Sequence, residues 1–430
     1  MTWSSSTACD MSKLPCQWIF ERSTMDDPAT PAESRLSVLD HALDADSHEM
    51  VPVHLWPDVF GDEIEPYVDL FSGMALLRGA GENTMVREDI EADRTPITPE
   101  AVWNLKGPEA PSAIDINRRV AVLDEMGIDR QLVYPTMATM GYLFLTDPNV
   151  DRFLGFDRSQ VDLDQAGRCL IDLHNRWAGR VTAEHSGRVR PVAFVLADSV
   201  DGLVGETERV LTAGARAVMI PAGLPPAGLS PADRRLDPFW RLMAQADVPV
   251  VHHISVERGF LRTSVWAADV PEFTPSNTSS PEFHVEPWRY ATLSFACESF
   301  LAAMILGGVF ERHPTLRFGI AELTAGWVGP FGQRLDDVVG QFRSRYTSYS
   351  MLPSERLAAS VRVSPFPFEP LVRYVEEQAW VGDVLCYGSD FPHKEGGMDS
   401  KRLYEDRIRP LGYEIVRKFF AGNAELLLPA

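Results

Sequence analysis

The chain has 430 residues, of which 45% are hydrophobic, and it carries a formal net charge of −21 at pH 7. Nucleic acids and anionic membranes attract clustered Lys and Arg, and no long basic run is present, so we expect neither as a partner and attribute the acidity to solubility. A chain of this length can bury a large core as two domains or as one large barrel with insertions, and we expect the second arrangement.

The first 40 residues are rich in Ser, Thr, Asp and Pro and lack a hydrophobic period, which predicts an N-terminal arm at 1–40 and one folded domain at 41–430. In the domain, short apolar runs rich in β-branched residues alternate with amphipathic stretches, as in repeated βα units with a parallel sheet. The predicted strands span residues 43–48, 130–135, 190–195, 215–221, 248–253, 317–323, 361–366 and 384–390. The predicted helices span residues 118–126, 167–184, 200–213, 238–246, 295–313 and 326–342.

This alternation predicts an α/β fold of the (β/α)8 TIM-barrel type, because eight βα units close most economically in that way. Catalytic groups of such barrels lie at the carboxyl ends of the strands. Two connections exceed the usual short loops, at about 49–117 after the first strand and about 255–294 after the fifth. Both leave from the edge formed by the carboxyl ends, so we interpret them as lids or substrate walls, with oligomer contacts as an equal alternative.

Metal-capable side chains stand at the carboxyl ends of four of the predicted strands. They are Asp46 and His48 of the first strand, His252 and His253 of the fifth, Glu322 of the sixth and Asp390 of the eighth. Alternation in the first strand also places Asp44 on the face of Asp46 and His48. One polar residue at a strand end is more often a hydrogen-bonding group than a ligand. Several at one edge of one barrel predict a metal site instead, because ligands on different strands can converge on one ion.

Six spaced segments carry a resemblance to a known family. They are Asp44-Ala45-Asp46-Ser47-His48, residues 123–129 with 133–136, Pro249-Val250-Val251-His252-His253, residues 307–314, residues 321–327, and Tyr387-Gly388-Ser389-Asp390-Phe391-Pro392-His393. Together they resemble the amidohydrolase 2 branch of the amidohydrolase superfamily, which includes aminocarboxymuconate-semialdehyde decarboxylase and several hydrolases. The resemblance runs in order over about residues 42–428 and implies the same barrel that the alternation predicts.

The resemblance implies ligand positions on the first and fifth strands. The first-strand pair of the family usually reads His-x-His or Glu-x-His, so Asp46 and His48 take those places, although Asp46 departs from the commoner residues. The fifth-strand ligand of the family lies four residues after the Pro of a Pro-Val pair. Counting from Pro249 gives His253, and His252 is then expected to face away and to be structural.

The resemblance also implies catalytic positions on the sixth and eighth strands. Asp390 matches an aspartate that binds the metal and exchanges a proton with bound water or substrate, and His393 fits the Pro-His that follows it. Glu322 departs from the family's decarboxylases, which carry a histidine there. Its role as an extra ligand, a general base, an anchor for a substrate ammonium group or a structural residue remains open.

The predicted metal ligands are Asp46, His48, His253 and Asp390, and the predicted catalytic residues are Asp390, Glu322 and His393. The predicted cofactor is one divalent ion, zinc first and manganese as the alternative.

Charge restricts the substrate that such a centre accepts. A divalent ion is balanced by Asp46 and Asp390, and Glu322 then leaves an excess negative charge. A substrate carboxylate would therefore need a nearby cation from the long connections. The available residues are Lys106, Arg118, Arg119, Arg258 and Arg262. His284, in the second long connection, is either a substrate or acid/base group or an ordinary surface residue.

Three functions are compatible with these residues. The leading hypothesis is a metal-dependent hydrolase of a small organic molecule, in which Asp390 accepts a proton from a metal-activated water. The alternative enzyme is a metal-dependent, non-oxidative decarboxylase of a carboxylated aromatic or enolic substrate, against which the missing sixth-strand histidine counts. A non-catalytic binding barrel is the third hypothesis, and it predicts no bound metal.

The remaining features concern location and partners. The five cysteines are odd in number and widely spaced, which predicts no disulfide framework and indicates a reduced protein, with Cys386 packed inside a strand. The chain start lacks the pattern of a secretory signal, and no segment approaches the ~18 to 20 apolar residues of a membrane span. We therefore expect a cytoplasmic protein with a small-molecule substrate, no nucleic-acid or membrane partner, and a homodimeric state.

Overall fold

The computed structural model describes residues 41–74, 77, 85–261, 264–273 and 286–430. The predicted arm at 1–40, and His284 and Arg262, lie outside the described residues. No helix in the described part of the chain combines the length and the hydropathy that crossing a bilayer requires.

Short parallel strands form two sheets. The strands are β1 Ala42–Asp44, β2 Ile128–Val133, β3 Val189–Pro191, β4 Ala193–Phe194, β5 Val218–Met219, β6 Val250–His252, β7 Phe318–Ala321 and β8 Val361–Ser364. One sheet has the order β1-β2-β3 and the other β4-β5-β6-β7-β8, and every pairing is parallel. Nearly all strand residues are buried, as expected for parallel strands with both faces covered, which explains why Val, Ile, Leu and Ala are frequent in them.

The third predicted strand, residues 190–195, is divided at Val192. The Val192 amide donates to the Val133 carbonyl (2.9 Å), whereas the Ala193 amide donates to the Ala217 carbonyl (3.0 Å). The chain thus changes its neighbour within two residues, and this change joins the two sheets. The prediction of one continuous strand here is wrong, because apolar composition does not reveal which neighbour each residue pairs with.

The eighth predicted strand, residues 384–390, forms one isolated bridge, between Leu385 and Val363, and no regular strand. Cys386 donates its amide to the Val363 carbonyl of β8 (3.0 Å), and Tyr387 accepts from the Ala45 amide beyond β1 (2.9 Å). The segment therefore lies between the last strand of one sheet and the first strand of the other. A regular strand is prevented because the segment exchanges one neighbour for the other around Tyr387 and turns at Asp390, whose φ is 50°.

Helices fill the connections between the strands. They are α1 Trp56–Phe60, α2 Val68–Gly73, α3 Pro99–Asn104, α4 Arg119–Met126, α5 Thr136–Thr146, α6 Val150–Leu154, α7 Leu163–Glu184, α8 Val200–Thr212, α9 Asp237–Ala246, α10 Pro287–Thr292, α11 Phe295–Leu306, α12 Val309–Arg312, α13 Val328–Gln341, α14 Pro353–Ser360, α15 Leu371–Glu377, α16 Ser400–Ile408 and α17 Tyr413–Arg417. The predicted helix at 295–313 is interrupted at Gly307-Gly308, where Gly308 has a φ of 70°. The predicted helix at 167–184 begins earlier, because the Asp162 side chain caps it by accepting from the Asp164 and Gln165 amides.

The α7 helix is fastened to the junction of the two sheets by His174. Its Nε2 lies 2.8 Å from the Val192 carbonyl, and its Nδ1 is buried without a hydrogen-bond partner. Burial lowers the pKa of this histidine from 6.5 to about 4. The folded protein therefore keeps His174 neutral at pH values at which the unfolded chain binds a proton.

The lowered pKa of His174 predicts that the folded protein loses stability in acid. Between pH 6.5 and 4 the unfolded state binds one more proton at this site than the folded state, so stability falls as the pH falls, by about 3 kcal/mol over the window. Urea unfolding of wild type and of His174→Gln at pH 7 and 4.5 measures the effect, and the variant should lose less stability than wild type. The exposed His41→Gln serves as control. Equal pH dependence in wild type and His174→Gln would contradict the assignment.

Candidate metal centre

Six polar side chains converge at the edge where the parallel strands end. They are Asp46 and His48 after β1, His253 after β6, Glu322 after β7, and Asp390 and His393 after the 384–390 segment. Their possible ligand atoms form two sets, each with all atoms within 4.8 Å of one another: Asp46, His48 and His253 in one, and His48, Glu322, Asp390 and His393 in the other. The structure thus brings every predicted site residue into one cluster, called the carboxylate–histidine cluster below.

The imidazole nitrogens of the cluster point at carboxylate oxygens. Nε2 of His48 lies 3.6 Å from Asp46 Oδ1 and 3.4 Å from Asp390 Oδ1. Nε2 of His253 lies 3.6 Å from the same Asp46 oxygen and 3.2 Å from Glu322 Oε2. These nitrogen and oxygen atoms are close enough to share a cation, and neither Nε2 atom forms a hydrogen bond.

The cluster contains buried polar atoms that lack hydrogen-bond partners. They are Asp46 Oδ1, His48 Nε2, His253 Nε2 and Asp390 Oδ2, whereas Asp390 Oδ1 lies 2.9 Å from His393 Nδ1. Buried polar atoms are nearly always paired in folded proteins, so a group of them facing one another requires an explanation. Imidazole nitrogens and carboxylate oxygens are ligands of divalent transition metals, and the residues present therefore fit such an ion.

The electrostatics of the cluster suit a bound cation. Burial lowers the pKa of His48 well below its usual value, and the neighbouring His393 and His253 act in the same direction, so His48 is neutral and its lone pair is available. Burial raises the pKa of Asp390 well above its usual value, as do Glu395 and Asp46, while Lys106 acts in the opposite direction. Burial and Asp390 likewise raise the pKa of Glu322. A cation would relieve this mutual repulsion of the carboxylates.

His253 differs from His48 in the direction in which its pKa is shifted. Burial lowers its pKa, but Glu322 and Asp46 outweigh burial and raise the pKa above the usual value. Its ring stacks on the buried Tyr134, with ring centres 4.4 Å apart. The stacking and the two carboxylates fix the direction in which Nε2 points.

The backbone of the cluster is strained at two of its carboxylates. Glu322 has a φ of 54° and Asp390 a φ of 50°, values that side-chain-bearing residues rarely adopt. Each such residue costs on the order of 1 kcal/mol and persists where the surroundings enforce it, which is common at functional sites. In both cases the turn directs the carboxylate into the cluster instead of along the strand.

A second buried network lies beneath the cluster. Asp44 accepts from the Ser389 amide (2.8 Å), the Ser389 hydroxyl (2.6 Å) and the Gln131 amide group (2.6 Å). Gln131 in turn accepts from Arg119, which also donates to the His48 carbonyl (2.8 Å). Burial raises the pKa of Asp44 to about 6, while these hydrogen bonds act to lower it. Asp44 thus holds the 384–390 segment against β1, and alternation alone did not separate this role from that of Asp46.

The 384–390 segment must pass close to Asp46, and Gly388 permits this. A Cβ atom at residue 388 would clash with Ser364 Oγ and would lie 2.7 Å from Asp46 Cβ. We therefore expect Gly388→Ala to displace Asp46, to weaken metal binding and to destabilise the fold by about 1–3 kcal/mol. Metal titration and thermal unfolding check both effects.

The matched control for this prediction is Gly340→Ala. Gly340 lies in α13, and a Cβ atom added there would meet no neighbouring atom within 4 Å, so the variant should be neutral or more stable by up to ~1 kcal/mol. Normal metal affinity in Gly388→Ala would contradict the argument from close approach.

Three further residues near the cluster were missed by the sequence reasoning. Tyr134 follows β2 and its hydroxyl is buried without a hydrogen-bond partner, as is Oε2 of Glu49 and of Glu395. Burial raises the pKa of Glu49 to about 7. The available signal for Tyr134 was its position at the end of a predicted strand. Glu49 and Glu395 lie beyond strand ends, where sequence offers no period to follow.

Two further predictions concern His252, expected to face away from the site, and Cys386, expected to be packed inside the fold. His252 packs between the rings of Phe300 and Phe318, at 4.6 and 4.8 Å, so it faces away from the cluster as expected. Cys386 is buried, and burial raises the pKa of its thiol to about 12, which agrees with packing.

The cationic side chains that the sequence offered for a substrate carboxylate lie at different places relative to the carboxylate–histidine cluster. Arg118 forms an ion pair with Asp93, and Arg119 lies beneath the cluster, so neither guanidinium is directed at it. Arg258 lies over the Phe153 ring at 3.8 Å, beside a cavity of about 810 Å³. Lys106 is the cation of this group whose charge acts on Asp390.

The family model described as Amidohydrolase (Amidohydro_2) matches residues 145–430, which include His253, Glu322, Asp390 and His393. The chain belongs to this amidohydrolase family. The matched region begins after Asp46 and His48, so the first-strand pair of this amidohydrolase is located by the structure and not by the family model. No curated protein matches the sequence significantly.

Solved structures resemble this amidohydrolase in fold over most of its length. An amidohydrolase from Mycobacterium avium subsp. paratuberculosis K-10 has 19% sequence identity and a TM-score of 0.62, over 90% of this chain and 98% of the other. An IDCase from Metarhizium anisopliae has 14% identity and a TM-score of 0.52, over 90% and 97%. A 5-carboxyvanillate decarboxylase from Novosphingobium aromaticivorans DSM 12444, complexed with manganese and 4-hydroxy-3-methoxy-5-nitrobenzoic acid, has 16% identity and a TM-score of 0.50, over 91% and 96%. At such low identity the structural likeness shows a shared fold alone.

Proposed function

We propose that this amidohydrolase is a metal-dependent hydrolase of a small organic molecule. The observation that carries the proposal is the composition of the carboxylate–histidine cluster, in which Glu322 adds a third carboxylate to Asp46 and Asp390. Carboxylates outnumber the cations acting on the cluster, so a neutral substrate with a polarisable carbonyl suits it better than a carboxylated one. Unpaired carboxylate oxygens also provide acceptors for the proton of an attacking water.

The residues of the carboxylate–histidine cluster have different roles in the proposed reaction. Asp46, His48, His253 and Asp390 would hold the ion, and zinc or manganese suits their mixed nitrogen and oxygen ligands. A divalent ion, when bound, supplies a Lewis acid that lowers the pKa of water toward ~7 and polarises a carbonyl. Asp390 takes the proton of the attacking water on one carboxylate oxygen. His393, whose Nδ1 lies 2.9 Å from Asp390 Oδ1, orients that carboxylate.

Isotope-labelled water tests the reaction class. The full-length protein, loaded with zinc or with manganese, is incubated in ¹⁸O-labelled water with panels of lactones, esters, amides and hydroxybenzoates. Hydrolysis incorporates one labelled oxygen into the product acid. Turnover that releases CO2 and forms a new C–H bond, without incorporation, would overturn the proposal.

A decarboxylase is the second candidate. It is supported by the fold shared with a solved 5-carboxyvanillate decarboxylase and by Lys106, whose positive charge acts on Asp390 and would serve a substrate carboxylate. The carboxylate of Glu322 counts against it, because a second carboxylate beside Glu322 is repelled.

A non-catalytic binding protein is the third candidate. The buried unpaired atoms of Asp46, His48, His253 and Asp390 count against it, because they leave the protein with an unexplained cost in stability if no cation binds. Elemental analysis of protein purified without chelator distinguishes it, and a stoichiometric transition metal dismisses it.

We infer that the two sheets and the 384–390 segment form one closed (β/α)8 barrel with the long connections of residues 49–117 and 255–294 inserted at its catalytic edge. The hydrogen bonds of Val192, Ala193, Cys386 and Ala45 support this closure. The arm at 1–40, the homodimer and the cytoplasmic location stay predictions.

A further inference from the structure

The cavity of about 810 Å³ beside Arg258 is separate from the carboxylate–histidine cluster, because none of the six cluster residues lines it. Its walls come mainly from the end of α5, from α6, from the segment after β6, and from α10 with the start of α11. A cavity of this volume is of the size that holds a small organic ligand. The side chains of the walls therefore indicate which ligand it would accept.

One wall presents a guanidinium group that the protein uses only in part. The Arg258 side chain is 23% exposed, and its guanidinium lies over the Phe153 ring at 3.8 Å. Its one ion pair within the described residues is with Asp147, at 3.5 Å, which is long for a hydrogen bond. A guanidinium group carries five N–H donors in a planar fork, and this fork matches a carboxylate through two parallel hydrogen bonds. Arg258 can therefore hold a ligand carboxylate.

The preceding residue, Glu257, presents an acceptor to the same cavity. Its Oε1 accepts from Arg289 at 2.7 Å, whereas its Oε2 is buried and lacks a hydrogen-bond partner among the described residues. The whole Glu257 side chain is only 10% exposed. A buried carboxylate oxygen without a donor is costly, and a ligand that brings an N–H group removes this cost. An ammonium group does so best, because it also balances the negative charge.

The other carboxylates of the cavity already serve the protein. Glu286 accepts from the backbone amides of Trp288 and Arg289, at 2.6 Å each. Asp147 accepts from the Asn149 amide at 2.9 Å and pairs with Arg258. In the part of the chain that the structure describes, Glu257 is thus the acid of this cavity that has an oxygen left for a ligand.

The rest of the wall is largely apolar. Its apolar side chains are Phe153, Leu224, Phe260, Leu261, Trp288 and Leu293. In ligand sites such side chains cover the carbon skeleton, while a few polar groups fix the orientation. The ligand should therefore combine an apolar body with one anionic and one cationic group.

We propose that this cavity binds a zwitterionic amino acid with an apolar side chain. Arg258 receives the carboxylate, Oε2 of Glu257 receives the ammonium group, and the apolar wall receives the side chain. The two charged partners are neighbours in the chain and line one cavity, which suits the short separation of the two charged groups on an α-amino acid. The proposal goes beyond the proposed hydrolase and does not depend on it, because no residue of the carboxylate–histidine cluster takes part.

Isothermal titration calorimetry of the full-length protein with three matched probes tests the proposal. The probes are L-phenylalanine, hydrocinnamic acid, which lacks the ammonium group, and phenethylamine, which lacks the carboxylate. We expect L-phenylalanine to bind at least about 10-fold more tightly than either analogue, because each analogue loses a charge-assisted hydrogen bond. Protein treated with chelator should bind L-phenylalanine as tightly as untreated protein.

Two substitutions in the cavity and two matched controls locate the site. Glu257→Gln keeps an oxygen for Arg289 but loses the charge that attracts an ammonium group, and Arg258→Gln loses the guanidinium fork. Each should weaken the binding of L-phenylalanine by about 10-fold or more. The exposed Glu376→Gln and Arg373→Gln of α15 should bind as wild type does.

Several results would overturn the proposal. They are no binding of L-phenylalanine at millimolar concentrations, equal affinity for either analogue, and unchanged affinity in both cavity variants. Loss of binding after chelation would overturn it as well, because the ligand would then occupy the metal centre. Circular dichroism verifies the fold of each variant. If Arg258→Gln does not fold, Glu257→Gln decides the result, because it keeps the hydrogen bond from Arg289.

Discussion

Asp390→Asn should abolish nearly all turnover while leaving a folded protein. The amide cannot take the proton of the attacking water, and general-base catalysis contributes about 10²- to 10⁴-fold to rate. Loss of a negatively charged ligand weakens metal binding in addition. We therefore expect kcat to fall by at least about 10³-fold, measured with metal-saturated protein so that chemistry and metal loss are separated.

The fold should survive this substitution because the same residue is a source of repulsion. Asp390 is buried beside Asp46 and Glu395, so removing its charge relieves a cost, and the asparagine oxygen can still accept from His393 Nδ1, which lies 2.9 Å from Asp390 Oδ1. Thermal unfolding should show an apo form at least as stable as the wild type. Asp383→Asn, which changes a carboxylate paired with Lys418 at 2.8 Å, is the matched control and should keep full activity. Normal kcat in Asp390→Asn would reject its role as proton acceptor.

His253→Asn should lose metal affinity by more than about 100-fold. Its Nε2 is buried without a hydrogen-bond partner and is directed at Asp46 and Glu322, the arrangement expected of a metal ligand. Changes to groups that only orient a ligand already cost about 10- to 100-fold in affinity, and loss of the ligand itself should cost more. Competitive titration against a fluorescent zinc chelator measures the change.

The neighbouring histidine provides the control for this prediction. His252 is buried between Phe300 and Phe318, and neither ring nitrogen has a hydrogen-bond partner. His252→Leu should keep the metal affinity of wild type, and its stability should be unchanged or higher, because an unsatisfied polar ring is replaced by an apolar group. Equal loss of metal in the two variants would mean that the strand, and not the His253 side chain, determines binding.

The sequence by itself determined the parallel α/β class, the family and the positions of the site residues. Periodicity and apolar runs report which residues are buried, and parallel strands bring their carboxyl ends to one edge whatever their exact length. For this reason Asp46, His48, His253, Glu322, Asp390 and His393 could be selected although they are spread over the chain from residue 46 to residue 393. The distinction between His252 and His253 came from the resemblance, since both follow the same apolar run.

Only the tertiary structure decided how the strands pair and how the carboxylates are used. The exchange of partners at Val192 and around Tyr387 depends on hydrogen bonds between distant segments, which no local pattern encodes. The same holds for Asp44, which alternation grouped with Asp46 but which hydrogen-bonds to Ser389 and Gln131. The left-handed turns at Glu322 and Asp390 are likewise imposed by their surroundings, because local preference opposes them.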